Sequence, residues 1–390
     1  MISRGVHRSL QRELDSFSKE LMGSDFNIRS VTKGALSQAR AKLKPEAFKE
    51  LNQDVVSHFY DGAPYQVWHG HRLLAVDGSR LMLPKHESTI KEFGEYSLGP
   101  NPNMKSCMAM ASLLYDPVNL ITLDAQLAPY ASSERDLLYK HLEYVKEGDL
   151  LLLDRGYAGL ATFFLLKARK IDFCVRMKED WWFAVRELKK SGLKEITVEF
   201  DLPKKDEKLL KDYPWMKGEK IKCRLLSIDL ENGEKEILCT SLTDTGKYLH
   251  EDIKELYRYR WNIEEAYKLF KCRIEAENFS GKTAIAVKQD FYAKVYMMSL
   301  CASLAFPIEE RVRKENENSK RKYKRKINRT SALANLRDIL INVFLKNNYQ
   351  RALIAFDNIV SKTTEIIRNG RSFVRKHKPK KRFYMNYKKL

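Results

Sequence analysis

Residues 149–157 read DLLLLDRGY: four leucines in a row, then an aspartate, an arginine, a glycine and a tyrosine. A four-residue apolar run bounded by turn formers has no polar face. It predicts a short strand buried on both sides. Its last step is a carboxylate, Asp154. Residues 73–79, LLAVDGS, repeat the plan with Asp77. In an α/β sheet the carboxyl ends of strands open into the crevice where ligands bind. An aspartate there also serves as an ordinary cap or turn residue. Two such ends in one chain favour a shared site.

The surrounding pattern is that of a mixed sheet. Residues 106–116 (SCMAMASLLYD) and 119–129 (NLITLDAQLAP) predict two strands joined at the turn DPVN, and residues 133–145 predict a helix capped by Ser132 or Ser133. Residues 161–170 predict another helix and 172–177 a fifth strand. Strands first, then α/β units, make an α/β fold with a mixed sheet flanked by helices. Five segments follow: a helical region at 1–68, a first core part at 69–180, a β-rich insertion at 181–245, a second core part at 246–310, and a basic helical region with a tail at 311–390. Within the first, Phe48, Leu51, Val55 and Phe59 stand at helical spacing, and residues 294–306 (KVYMMSLCASLAF) predict a core helix.

Lys plus Arg number 71 and Asp plus Glu 51 in 390 residues, a formal charge of +20. A basic surplus of that size favours a polyanionic partner, nucleic acid above all, over a merely solvated surface. The tail from Arg371 to Leu390 interleaves its cations with Phe373, Phe383, Tyr384 and Tyr387. The six cysteines stand at no metal-ligand or redox spacing and read as reduced thiols of a cytoplasmic protein. No signal peptide and no apolar run of membrane-spanning length are expected.

Two aspartates converging in a basic protein make chemical sense around a divalent cation, which removes their mutual repulsion. Oxygen-only ligands suit Mg²⁺ or Mn²⁺, and phosphodiester chemistry with two such ions calls for a third carboxylate. Residues 257–271, YRYRWNIEEAYKLFK, offer one. In a continuous helix Tyr257, Arg260, Glu264, Lys268 and Lys271 share a face, while Leu256, Tyr259, Ile263, Tyr267 and Phe270 make the core stripe. The first face presents one carboxylate among cations able to hold phosphates. The plainer reading is a surface helix with Glu–Lys pairs.

Asp77 in DGS, Asp154 in DRGY and the pattern Y-x2-R-x3-E-x6-K at Tyr257, Arg260, Glu264 and Lys271 resemble the DDE transposases of the bacterial insertion sequence 4 family. The likeness runs over roughly residues 30 to 305 and includes SQARAKLKPEAF at 37–48. It implies a ribonuclease H-like core with a β-rich insertion between the second aspartate and the glutamate. It implies catalysis by Asp77, Asp154 and Glu264 as ligands of two Mg²⁺ ions, with Mn²⁺ as a substitute. Tyr257, Arg260, Lys268, Lys271 and Arg155 are the expected DNA contacts. The expected partners are double-stranded DNA, as transposon ends and target, and a second copy in a synaptic homodimer. The expected reaction is strand cleavage, resolution through DNA hairpins, and transfer of 3′ ends to target. A metal-dependent nuclease on the same core and a non-catalytic DNA-binding derivative are the rival readings. Trp181, Trp182 and Trp215 are candidates to stack on a flipped base, though core packing is commoner for such residues.

Overall fold

A computed structural model describes residues 9–97, 105–178, 182–202, 207–230 and 233–367. Helices α1 (Leu10–Met22), α2 (Lys33–Lys42) and α3 (Glu46–Gly62) precede strand β1 (Leu73–Met82), α4 (Glu87–Phe93), β2 (Glu95–Ser97), β3 (Lys105–Asp116) and β4 (Ile121–Pro129). Then come α5 (Glu134–His141), β5 (Leu150–Leu153), α6 (Leu160–Ala168), β6 (Asp172–Arg176), α7 (Phe183–Ser191), β7 (Glu195–Asp201), α8 (Glu207–Asp212), β8 (Lys220–Asp229) and β9 (Lys235–Thr240). The remaining elements are α9 (His250–Arg258), α10 (Trp261–Lys268), α11 (Ala284–Glu317), β10 (Arg325–Ile327), α12 (Arg329–Phe344), α13 (Tyr349–Lys362) and β11 (Thr364–Ile366).

The chain forms two compact units that interleave in sequence. One comprises Met1–Ala63, Arg80–Ala109 and Lys268–Leu390, and the other Pro64–Ser79 and Met110–Tyr267. The second unit is built on the main sheet, whose strand order is β2-β3-β1-β5-β6-β9-β8-β7, with β4 also paired to β3. β5 runs parallel to β1, and β6 parallel to β5. The link from β3 to β4 is too short for anything but an antiparallel pair. The order β4-β3-β1-β5-β6 is the mixed, ribonuclease H-like sheet expected above. Leu73–Val76 and Leu150–Leu153 are fully buried, as continuous apolar strands inside a parallel sheet must be. Residues 181–245 are β-rich as expected. They form no separate β body, because β9 pairs with β6 and carries β8 and β7 onto the same sheet.

The first unit packs around α11, which is 34 residues long. By length and composition α11 could cross a membrane, but most of its apolar stretch is buried. It is a core helix, much longer than the 294–306 segment foreseen. Met297, Leu300 and Ile308 of α11 meet Leu336 of α12 and Phe356 of α13. Phe59 of α3 meets Phe306 edge-on at 5.1 Å. The buried face of α3 is Phe48, Asn52, Val56 and Phe59. Leu51, expected inside, is exposed. Arg40 of α2 is buried and donates to Asp290 at 2.9 Å and Gln289 at 2.8 Å, as well as to Ser280. The tail from Arg371 and Trp181 lie outside the described residues.

Candidate active site

Val76 of β1 stands opposite Leu153 of β5 in parallel register. The next residue on each strand is an aspartate. Asp77 and Asp154 therefore leave neighbouring strands, about 4.8 Å apart, at the same level and on the same face. Gly78 N–H donates to Asp77 Oδ1 at 2.9 Å. Burial raises the Asp77 carboxyl to about 6; Glu134 and Glu264 add to the rise, while Gly78 N–H and Arg260 oppose it. Asp154 opens a tight turn in which Tyr157 N–H donates to its carbonyl at 2.9 Å. The turn returns Tyr157 to the interior, where it is 1% exposed. Its hydroxyl has no hydrogen-bond partner among the described residues. Arg135 of α5 ties the turn down through the carbonyls of Gly156 (3.1 Å) and Ala158 (2.7 Å).

The segment 257–271, expected as one helix, is three pieces. α9 stops at Arg258, α10 begins at Trp261, and Leu269–Arg273 is π-helical. Between α9 and α10 the N–H groups of Tyr259, Arg260, Asn262 and Ile263 reach the carbonyls three residues back, at 3.0–3.2 Å. Three residues per turn eclipse positions i and i+3. Arg260 accordingly lies over the Tyr257 ring at 5.6 Å and over Trp261 at 5.2 Å.

This pinch corrects several face assignments. Tyr257, expected to contact DNA, is 3% exposed, and its hydroxyl donates to the Leu153 carbonyl at 3.1 Å. Tyr259, expected in the core, is 38% exposed. Arg260, expected to hold phosphate, is 5% exposed and pairs with Glu264 at 3.1 Å. Burial works against the Arg260 charge, but Tyr257, Asp154 and Glu264 keep it protonated above its ordinary value. Arg155 is exposed, as is Lys268. Lys271, in the first unit, donates to the Arg80 carbonyl at 2.7 Å. Trp182 packs against Phe200 and Phe163 at 5.0 and 5.8 Å, whereas Trp215 is exposed.

Two tyrosines staple the Glu264 segment to the aspartate strands. Tyr257 grips the carbonyl immediately before Asp154. Tyr267 shares its hydroxyl hydrogen between the carbonyls of Asp77 (2.9 Å) and Ala111 (3.1 Å). Behind Asp77, Ser112 Oγ also reaches its carbonyl at 3.4 Å. His141 bridges Ser112 (2.9 Å) and Asp124 (2.7 Å). Ser112, His141 and Asp124 are all buried, which removes them from any substrate and leaves them as scaffold for the strand end. Glu134, at the start of α5, stands beside these strand ends and was not singled out from the sequence. The signal was present in the glycines of DGS and DRG, whose missing side chains make room for it.

The donor chemistry fits a hard divalent cation: Asp77, Asp154 and Glu264 offer only oxygen. Asp77 is pushed towards protonation by burial and like charge, which a cation would relieve. Two buried polar atoms nearby, Tyr157 Oη and Arg260 Nε, lack partners among the described residues. Among those residues no three acidic, histidine or cysteine side chains stand close enough to share one ion. The Arg260 guanidinium supplies the positive charge among them.

Residues 68–300 match the family model described as the transposase DDE domain, and the chain belongs to that family. Among individual proteins it is similar to Transposase InsG for insertion sequence element IS4 of Escherichia coli, with 25% identity over 274 residues. That alignment covers 69% of this chain and 60% of the relative, so the chain spans about three fifths of the relative's length. Among solved structures, a cryo-EM structure of a piggyBac transposase synaptic complex with hairpin DNA aligns at a TM-score of 0.42 and 8% identity, over 74% of this chain and 54% of that one.

Proposed function

We propose that this chain is a DNA transposase that cuts an insertion sequence from its flanks and joins it to target DNA. The observation that carries the reading is the meeting of Asp77, Asp154 and Glu264 around one buried arginine in a chain of the transposase DDE domain family. On this reading the three carboxylates hold two Mg²⁺ ions, or Mn²⁺ in their place. Such ions supply activation of the attacking oxygen and stabilisation of the leaving oxygen in a phosphodiester cleavage. Asp77 and Asp154 leave rigid strand ends, so their positions are set by sheet register. Tyr257 and Tyr267 hold the Glu264 segment against those strands. Arg260 neutralises Glu264 before cation and DNA arrive. The exposed cations Arg155 and Lys268, with Lys271, take backbone phosphates. The partners are double-stranded transposon ends and target DNA, handled by a homodimer on the nucleoid in the cytoplasm.

The test is Glu264→Ala on a labelled transposon-end duplex. Mg²⁺-dependent cleavage is expected to vanish while duplex binding survives, and normal cleavage by the variant contradicts the assignment. Pre-cleaved ends offered with target DNA then separate transposition from plain nuclease action: the proposal expects joined products.

A further inference from the structure

Gly78 and Gly156 follow the two aspartates, and neither is required by a left-handed backbone. What occupies the space beside them is one side chain. A Cβ at position 78 would lie 2.9 Å from Glu134 Oε1, and a Cβ at position 156 would lie 3.2 Å from Glu134 Oε2. The Glu134 carboxylate is thus cradled between the two strand ends, one oxygen towards each. α5 delivers it there: Arg135 beside it is anchored to the turn after Asp154.

Glu134 has the company of a functional group rather than a structural one. Among the described residues no hydrogen bond or ion pair engages its carboxylate. Its charge is felt by Asp77 more strongly than that of Glu264, and it is the foremost charge acting on Tyr157. Tyr157, buried with an unpartnered hydroxyl, completes the pocket of groups. An uncompensated carboxylate beside two others is costly, and folding tolerates it where a ligand of opposite charge is bound.

We propose that Glu134 is a fourth acidic residue of the site, binding divalent cation together with Asp77 and Asp154. The proposal rests on the metal-site reading above. It assigns a purpose to the glycines of DGS and DRG: they admit this carboxylate to the strand ends.

The experiment is Mn²⁺ titration of the full chain without DNA, followed by calorimetry or by Mn²⁺ electron paramagnetic resonance, with the metal-free melting temperature measured alongside. Glu134→Gln keeps the shape and removes the charge. Its Mn²⁺ dissociation constant is expected to rise roughly 10- to 100-fold, with little change in metal-free melting. Gly78→Ala displaces the end of a flexible side chain, so it is expected to fold and to weaken Mn²⁺ similarly. The double variant is expected to be no weaker than Glu134→Gln alone. Unchanged Mn²⁺ affinity in Glu134→Gln overturns the proposal, as does a fall in melting temperature without a change in affinity. Asp154→Asn separates the two levels. If it loses Mn²⁺ while Glu134→Gln does not, the metal site stands and Glu134 falls. If Asp154→Asn also keeps Mn²⁺, both fall.

Discussion

Tyr257 and Glu134 show at residue scale what a spacing argument sees and misses. Glu264 is found by periodicity because it lies within a turn of its partner Arg260. Tyr257 is assigned to the wrong face because the argument assumes 3.6 residues per turn, and the chain tightens there. A glutamate in the first turn of a helix is so ordinary that Glu134 carries no signal of its own; only the paired glycines point to it. The burial of Tyr257 makes a prediction. Tyr257→Phe and Tyr267→Phe each remove a buried hydroxyl that grips a strand carbonyl, and each is expected to cost about 1 kcal/mol in denaturant unfolding and to slow cleavage. Unchanged stability with reduced DNA affinity in Tyr257→Phe would instead make it a DNA contact. Asp77 makes another. Its folded value of about 6 lies above the ordinary 3.8. Between those values the folded chain holds a proton that the unfolded chain has released, so this group's contribution to stability is lost as pH rises through about 6. A cation competes with that proton. The rise in melting temperature caused by Mg²⁺ is expected to be larger at pH 7.5 than at pH 5, and equal rises would contradict the placement of Asp77 in the cation site.

Elements divide into those whose identity is local and those set by distant partners. β1 and β5 are legible because their burial on both faces is written as unbroken apolar runs. The antiparallel pairing of β9 with β6 is not legible, since no local pattern tells a strand which edge it will join. The break between α9 and α10 also has a tertiary origin: hydroxyls on either side of it are tied to two different strands. Arg40 lies inside a motif read from the sequence, yet its role emerges only when α2 meets α11. It faces Asp290, and both side chains are almost fully buried. Arg40→Met leaves that carboxylate unpaired, and unfolding measurements are expected to show a loss of about 3–5 kcal/mol. A loss below about 1 kcal/mol would mean that the pair is not buried in solution.

Over the whole molecule, the basic surplus is legible from composition alone, and its distribution is not. The two units interleave because β1 and β3 each contribute residues to both, which no linear segmentation could anticipate. A charge of +20 predicts that end-DNA binding is dominated by phosphate contacts. With 6–10 such contacts, affinity is expected to fall roughly 10³–10⁵-fold between 50 and 200 mM salt, as gel-shift titrations would show; a flat salt response would contradict a backbone-led interface. The central claim is that three carboxylates from two strands and one helix act as a single cation-dependent centre. It is tested most directly by Mg²⁺-dependent cleavage of a transposon-end duplex by Asp77→Asn, Asp154→Asn and Glu264→Gln, singly and combined. Residues that work as one unit fail together. Each single variant is expected to fall to background and the triple variant no further, with duplex binding retained throughout. Cleavage near the parent rate by any one of the three would contradict the account.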